Sequence, residues 1–194
     1  LDYEPHTTSP CDKNGSVSNL LAGTLRFLAV SEYTLNKEVA LFREQLSEAA
    51  NIARQLIDRF DRGEPISPSF VSMMAYKDLF NALAAGDKAL AVNLAVNMGG
   101  RISIEREYDR PFDLALGYSL KSLLVSDSIA VSNHLESLEL ACKESANMDF
   151  KGYAKVLRAI VSQDEVSVRE GFAEILNGHK RQCKGKGLFK DTVD

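Results

Sequence analysis

Three aspartates, Asp87, Asp127 and Asp164, stand at the same point in three segments of one pattern, 40 and 37 residues apart. Apolar residues lie seven positions before each (Phe80, Leu120, Leu157) and four before (Leu83, Leu123, Ile160). After each Asp, apolar residues return at the second, fourth, eighth and eleventh positions. These are Ala89, Ala91, Ala95 and Met98, then Ile129, Val131, Leu135 and Leu138, then Val166, Val168, Phe172 and Ile175. Steps of three, four and seven bring side chains onto one helix face, and Asp is a favoured N-cap. Each segment therefore reads as two helices joined by a tight turn at its Asp. A lone hairpin cannot cover its own apolar stripe, so such hairpins pack on neighbours. The expected fold class is all-α, with stacked antiparallel helical hairpins in an α-solenoid-like array or an irregular bundle.

The rest of the chain fits around these segments. Residues 1–15 hold two prolines, a glycine and many turn formers, and read as a loose entry segment. Ser16 or Ser18 can cap a first helix through Leu20, Leu21, Leu25, Phe27 and Leu28. Leu35, Val39, Phe42, Leu46, Ala49 and the apolar positions up to Phe60 predict one long amphipathic helix, stopped at Gly63 and Pro65. Ser67 and Pro68 open a helix that ends at Gly86. Residues 101–109 are polar, carry no helix signal and predict a loop, and residues 184–194 form a basic tail. The length suits one helical domain over residues 1–194.

Charge and cysteine content narrow the function classes. The net charge is −4, yet the stretch from His179 to Asp194 has five basic residues and two acids, which leaves −7 for the residues before it. A mostly acidic body is a poor wrapper of nucleic acid and suits a basic partner. Cys11, Cys142 and Cys183 are odd in number and far apart, so reduced thiols in a cytoplasmic protein are expected instead of a disulfide framework. No stretch approaches the roughly 18 apolar residues of a bilayer span, and no signal peptide is visible, so no membrane role is expected.

No familiar catalytic or metal motif is found, and no cofactor is expected. The three histidines are His6, His134 and His179. None belongs to a Glu-x-x-His or His-Glu-x-x-His motif. His179 and Cys183 are four apart on one helix face, two ligands where zinc needs three or four. A helical enzyme would have to unite distant residues such as His134, Glu139 and Asp127. Glu105, Glu107 and Asp109, interleaved with Arg101, Arg106 and Arg110, sit in the expected loop. A charged loop on a rigid helical scaffold is a good place for a partner contact.

The Asp-keyed hairpins, the last helix reaching His179, the basic residues after it and the stretch Leu188-Phe189-Lys190-Asp191-Thr192 together resemble bacterial immunity protein family 49 of polymorphic toxin systems. In that family a His near the end of a late helix is followed by a short link and a Leu-Phe-x-Asp-Thr-like stretch. The likeness covers about half the chain, from Leu79 onward. Family members continue past this stretch into another apolar segment, whereas this sequence stops at Asp194. The resemblance implies a protein that binds and neutralises a cognate toxin domain in the cytoplasm without catalysis. Glu105, Glu107, Asp109 and His179 are the candidate partner-binding residues. The runner-up is a helical-repeat adaptor or regulator acting on another protein.

Overall fold

Each of the three aspartates stands where one helix ends and the next begins. In the computed structural model, which describes residues 10–184, Asp87 accepts a hydrogen bond from the Leu90 backbone N–H, Asp127 from that of Ala130, and Asp164 from those of Val166 and Ser167. The residue before each Asp has a positive φ: Gly86 (79°), Ser126 (61°) and Gln163 (57°). The Asp N–H then reaches back to a carbonyl five residues earlier, on Ala82, Ser122 and Ala159. A left-handed residue closes one helix and the Asp opens the next, so orphan carbonyls of the first helix and orphan N–H groups of the second find partners within two residues. The described residues are helices and connections, with no strand among them, which is the all-α class expected.

The chain gathers into two compact units, Leu1–Ile104 and Glu105–Asp194. In the first, α1 (Ser16–Asn36) and α2 (Val39–Asp61) form a long hairpin, followed by two short 3-10 turns, Pro68–Val71 and Met73–Ala75. α3 (Tyr76–Ala85) and α4 (Lys88–Asn97) then make the first Asp-keyed hairpin. The core forms where α2 meets α3 and α4, around Leu46, Leu56, Ile57, Leu79, Leu94 and Met98.

Three expectations fail in this unit. The helix expected to open at Ser67 and Pro68 begins only at Tyr76, after the two 3-10 turns. Leu35 belongs to α1, not to the long helix that follows. Lys37 takes a left-handed conformation (φ 61°), its N–H bonding the Tyr33 carbonyl, and so ends α1 with no glycine or proline to announce it. Residues 10–15 of the entry segment are also not loose. Asp12 is buried, and its carboxylate accepts from the backbone N–H of Val17 and Ser18, from the Ser18 hydroxyl (2.6 Å) and from Arg59 Nη1 (2.7 Å). Arg59 also donates to Glu64 (2.7 Å). One arginine near the end of α2 thereby clamps the start of α1 and the turn beyond α2. Residues 1–9 and 185–194, including most of the basic tail, lie outside the described residues.

A short helix, α5 (Ile102–Tyr108), carries the chain past the boundary between the units. It replaces the loop expected at 101–109. The second unit then consists of α6 (Pro111–Leu124), α7 (Ser128–Ala141), a 3-10 segment (Ser145–Phe150), α8 (Lys151–Ser162) and α9 (Glu165–Cys183). α6 is buried along most of its length, against α7 and α8. α8 and α9 approach so closely that glycine is required. A Cβ on Gly152 would lie 2.7 Å from the Gly171 carbonyl, and one on Gly178 would lie 2.1 Å from that of Asp149. No helix among the described residues is long and apolar enough to cross a membrane.

Candidate partner-binding face

Gly178 presses α9 onto the segment before α8, and Arg181 Nε donates to the Asp149 carboxylate at 2.6 Å. This double tie fixes which way the end of α9 turns. His179, the next residue, is exposed. Phe172, Leu176, His179 and Cys183 follow at i, i+4, i+7 and i+11 and share one face. Phe172 is 53% and Leu176 61% exposed. Cys183 Sγ rests 3.4 Å from His179 Nε2 and 3.8 Å from Nδ1. Glu165 and Arg169, exposed and 3.7 Å apart, continue the face toward the helix start. It is an apolar centre between polar ends, the composition of a small protein-binding patch.

The repeat explains why this face is open. The eighth position after the Asp is fully buried as Ala95 in the first hairpin and as Leu135 in the second, but half-exposed as Phe172 in the third. α9 packs mainly on α8 and the 3-10 segment, and its apolar outer positions are left to solvent. Phe172 is legible from the sequence as an apolar helix position and Leu176 is not singled out by it; only their exposure marks them as surface residues.

The acidic candidates separate. Glu105 is buried, 6% exposed, and its two carboxylate oxygens accept from the Tyr118 hydroxyl at 3.2 and 3.0 Å. Glu107 is exposed and hydrogen-bonds Tyr108, which raises the Tyr108 phenol above its ordinary value. Asp109 is half-buried, its N–H bonded to the Glu105 carbonyl. The expectation that all three form one charged loop is therefore corrected: they lie in and just after a helix, with Glu105 turned inward. α5 inverts the usual pattern, exposing Ile102 and burying Glu105, so its hydrophobic period carries no helix signal. His179 lies on a separate helix of the same unit.

The residues an enzyme would have to unite are each engaged elsewhere. Asp127 caps α7, and Glu139 accepts from Arg158 Nε at 2.8 Å. His134 Nδ1 lies 2.7 Å from Ser122 Oγ, a spacing that could suggest a base and nucleophile. The Ser122 hydroxyl, however, also lies 2.8 Å from the Tyr118 carbonyl oxygen, which can only accept. Ser122 has one proton and spends it there, so His134 Nδ1–H donates to Oγ. Ser122 is thus an acceptor from His134 and is not activated by it. Burial holds the His134 ring below its ordinary value, against a smaller raising effect of Asp127.

An open groove of about 480 Å³ runs between α7, α8 and the start of α9, lined in part by Glu139, Cys142, Lys155, Arg158 and Asp164. Its charges are paired with one another or with α9: Arg158 with Glu139, and Lys155 with Glu170 (2.7 Å) and Glu174 (3.3 Å). Burial, and secondarily Glu139, pushes the Cys142 thiol up to about 11. It stays protonated at neutral pH and is a poor nucleophile. Among the described residues no group of three or more His, Cys, Asp or Glu could hold a metal ion.

Compared with known proteins, the chain matches no family model, no curated protein and no solved structure.

Proposed function

We propose that this chain is an immunity-type binding protein, which holds a cognate bacterial toxin domain in the cytoplasm and blocks it without chemistry of its own. The observation that carries the reading is His179 on the open face of α9, beside exposed Phe172 and Leu176. His179 is one of the features that carry the family resemblance, and it belongs to an apolar patch suited to a protein surface. The patch sits on a helix seated by backbone contacts at Gly152, Gly171 and Gly178. A surface held that firmly loses little conformational entropy on binding, which favours tight capture. The −7 balance of the residues before His179 speeds encounter with a basic partner such as a nuclease toxin.

The test is protection. The toxin domain encoded beside this chain's own gene is expressed in a sensitive host, with and without the chain. Survival only with the chain, together with a stable complex of the two purified proteins, is the expected result. Killing unchanged by the chain, with no complex, contradicts the proposal.

A further inference from the structure

We infer that the outer face of α1 pairs with the same face of a second copy, giving a two-fold dimer built on the α1–α2 hairpins. The inference is independent of the function proposed above and rests on the first unit alone.

α1 is turned the opposite way from an ordinary surface helix. Its small residues Ala22 and Ala29 are buried, with Ala22 packed against Ala49 and Ile52 of α2. Its large residues point away. Val17, Leu20, Leu21, Phe27, Leu28 and Leu35 fall within one face by helical spacing, and are between 41 and 78% exposed. Between them on this face stand Thr24 and Ser31, with Glu32 at its edge between Leu28 and Leu35, and the Thr24 hydroxyl is already bonded to the Leu20 carbonyl. The whole 21-residue helix has two charges, Arg26 and Glu32. Arg26 is turned toward α3, 3.1 Å from Asp78. α1 thus carries apolar residues on two faces, and within its own unit only the small-residue face is covered.

Two features of the face point to a second copy as the cover. The first is charge. An isologous interface sets each residue against residues of the same patch, so any like charge would repel across the axis. The face carries no charge from Val17 to Leu28, so that stretch is self-compatible, and the one charge near it, Glu32, borders its C-terminal end and is hydrogen-bonded to Asn36. The stretch offers nothing for a charged partner to select. The second is area. Monomers leave open apolar patches of roughly 300–600 Å², and six large side chains along a helix about 31 Å long reach the upper end of that range. A stable dimer buries about 800 Å² per partner, which this stripe and its flanks largely supply. Two α1–α2 hairpins joined in this way form a four-helix layer with both α1 helices inside.

The test is sedimentation equilibrium of the full chain from low micromolar to several hundred micromolar, for the wild type and for Leu20→Glu and Phe27→Glu. The expected result is a wild-type mass of two chains. Each variant is expected to weaken dimerisation by at least about a hundredfold, because both copies then bring an unpaired charge into the seam. Far-UV circular dichroism checks that the variants keep their helices. If either loses helix, Leu35→Glu replaces it, since Leu35 is 78% exposed and makes the least contact within its own chain. A wild type that is monomeric throughout overturns the inference, and so does a dimer that the substitutions leave intact.

Discussion

Gly178 lies against the carbonyl of Asp149 so closely that a Cβ would stand 2.1 Å from the oxygen. The approach is between backbones, so no rotamer change can relieve an added methyl group. Gly178→Ala should therefore cost about 3 kcal/mol of stability in the second unit, read as a shift in the urea midpoint. Asn177→Ala, one residue away and exposed, should stay within about 0.5 kcal/mol. Equal effects would mean that the α8–α9 seat is looser than described.

The two acids of α5 should behave oppositely on charge reversal. Glu105→Lys places a cation in a buried site built for a carboxylate facing Tyr118, and should destabilise the fold by about 3 kcal/mol or more. Glu107→Lys, at an exposed position, should change stability by no more than about 0.5 kcal/mol. Thermal melts of the two variants side by side decide the point. Similar losses would contradict the inward turn of Glu105.

The difference between these two residues also marks the limit of the sequence. Asp87, Asp127 and Asp164 were legible because capping is local: the cap, its acceptors and the apolar period lie within a dozen residues. Glu105 was not legible, because its partner Tyr118 is 13 residues on and no pattern announces a buried acid. The Asp12–Arg59 clamp joins residues 47 apart and left no local trace. Lys37 ended a helix in a conformation that usually belongs to glycine, so α1 and α2 blurred at Leu35. On the proposed binding face, His179 is a candidate through the family resemblance, which places a His near the end of a late helix. Phe172 reads from the sequence as an ordinary apolar position and Leu176 is not singled out by it, since their exposure depends on what does not pack against α9.

The left-handed residues before the aspartates offer a gain in stability. Ser126 and Gln163 hold φ values of 61° and 57°, a conformation costing a side-chain-bearing residue about 1 kcal/mol or more. Gln163→Gly and Ser126→Gly should each stabilise the protein by roughly 0.5–1 kcal/mol, after glycine's own entropy loss. Asp87→Ala should instead cost about 1 kcal/mol, since the Leu90 N–H loses its cap. Denaturant midpoints are the readout. A loss of stability in both glycine variants would contradict the geometry of these turns.

Stability should depend on pH with two opposed slopes. Burial pushes the Asp78 carboxyl up to about 6, against the lowering pull of Arg26, Asn81 and Lys77. The folded state thus holds this proton more firmly than the unfolded chain does. The contribution from Asp78 is complete below about pH 4 and is lost as pH rises through about 6. Asp12 runs the other way. Burial raises it, but the bonds from Ser18, Arg59 and the backbone outweigh that and hold the carboxyl below its ordinary value. Its contribution is present above the ordinary carboxylate range and is lost on acidification. In urea titrations, Asp78→Asn should remove a fall in stability between about pH 4 and about pH 6.5. A wild-type profile that Asp78→Asn leaves unchanged would contradict the half-buried setting of Asp78.

The central claim is that the open face of α9 is where a toxin domain is held. Isothermal titration calorimetry of the purified chain against the toxin domain encoded beside its gene, comparing the wild type with Leu176→Glu, tests it most directly. Leu176 is 61% exposed, so the substitution should leave the melting temperature nearly unchanged. The account predicts at least about a tenfold loss of affinity, the size expected when an apolar contact at the centre of an interface is replaced by a charge. Wild-type affinity in the Leu176→Glu variant would contradict it.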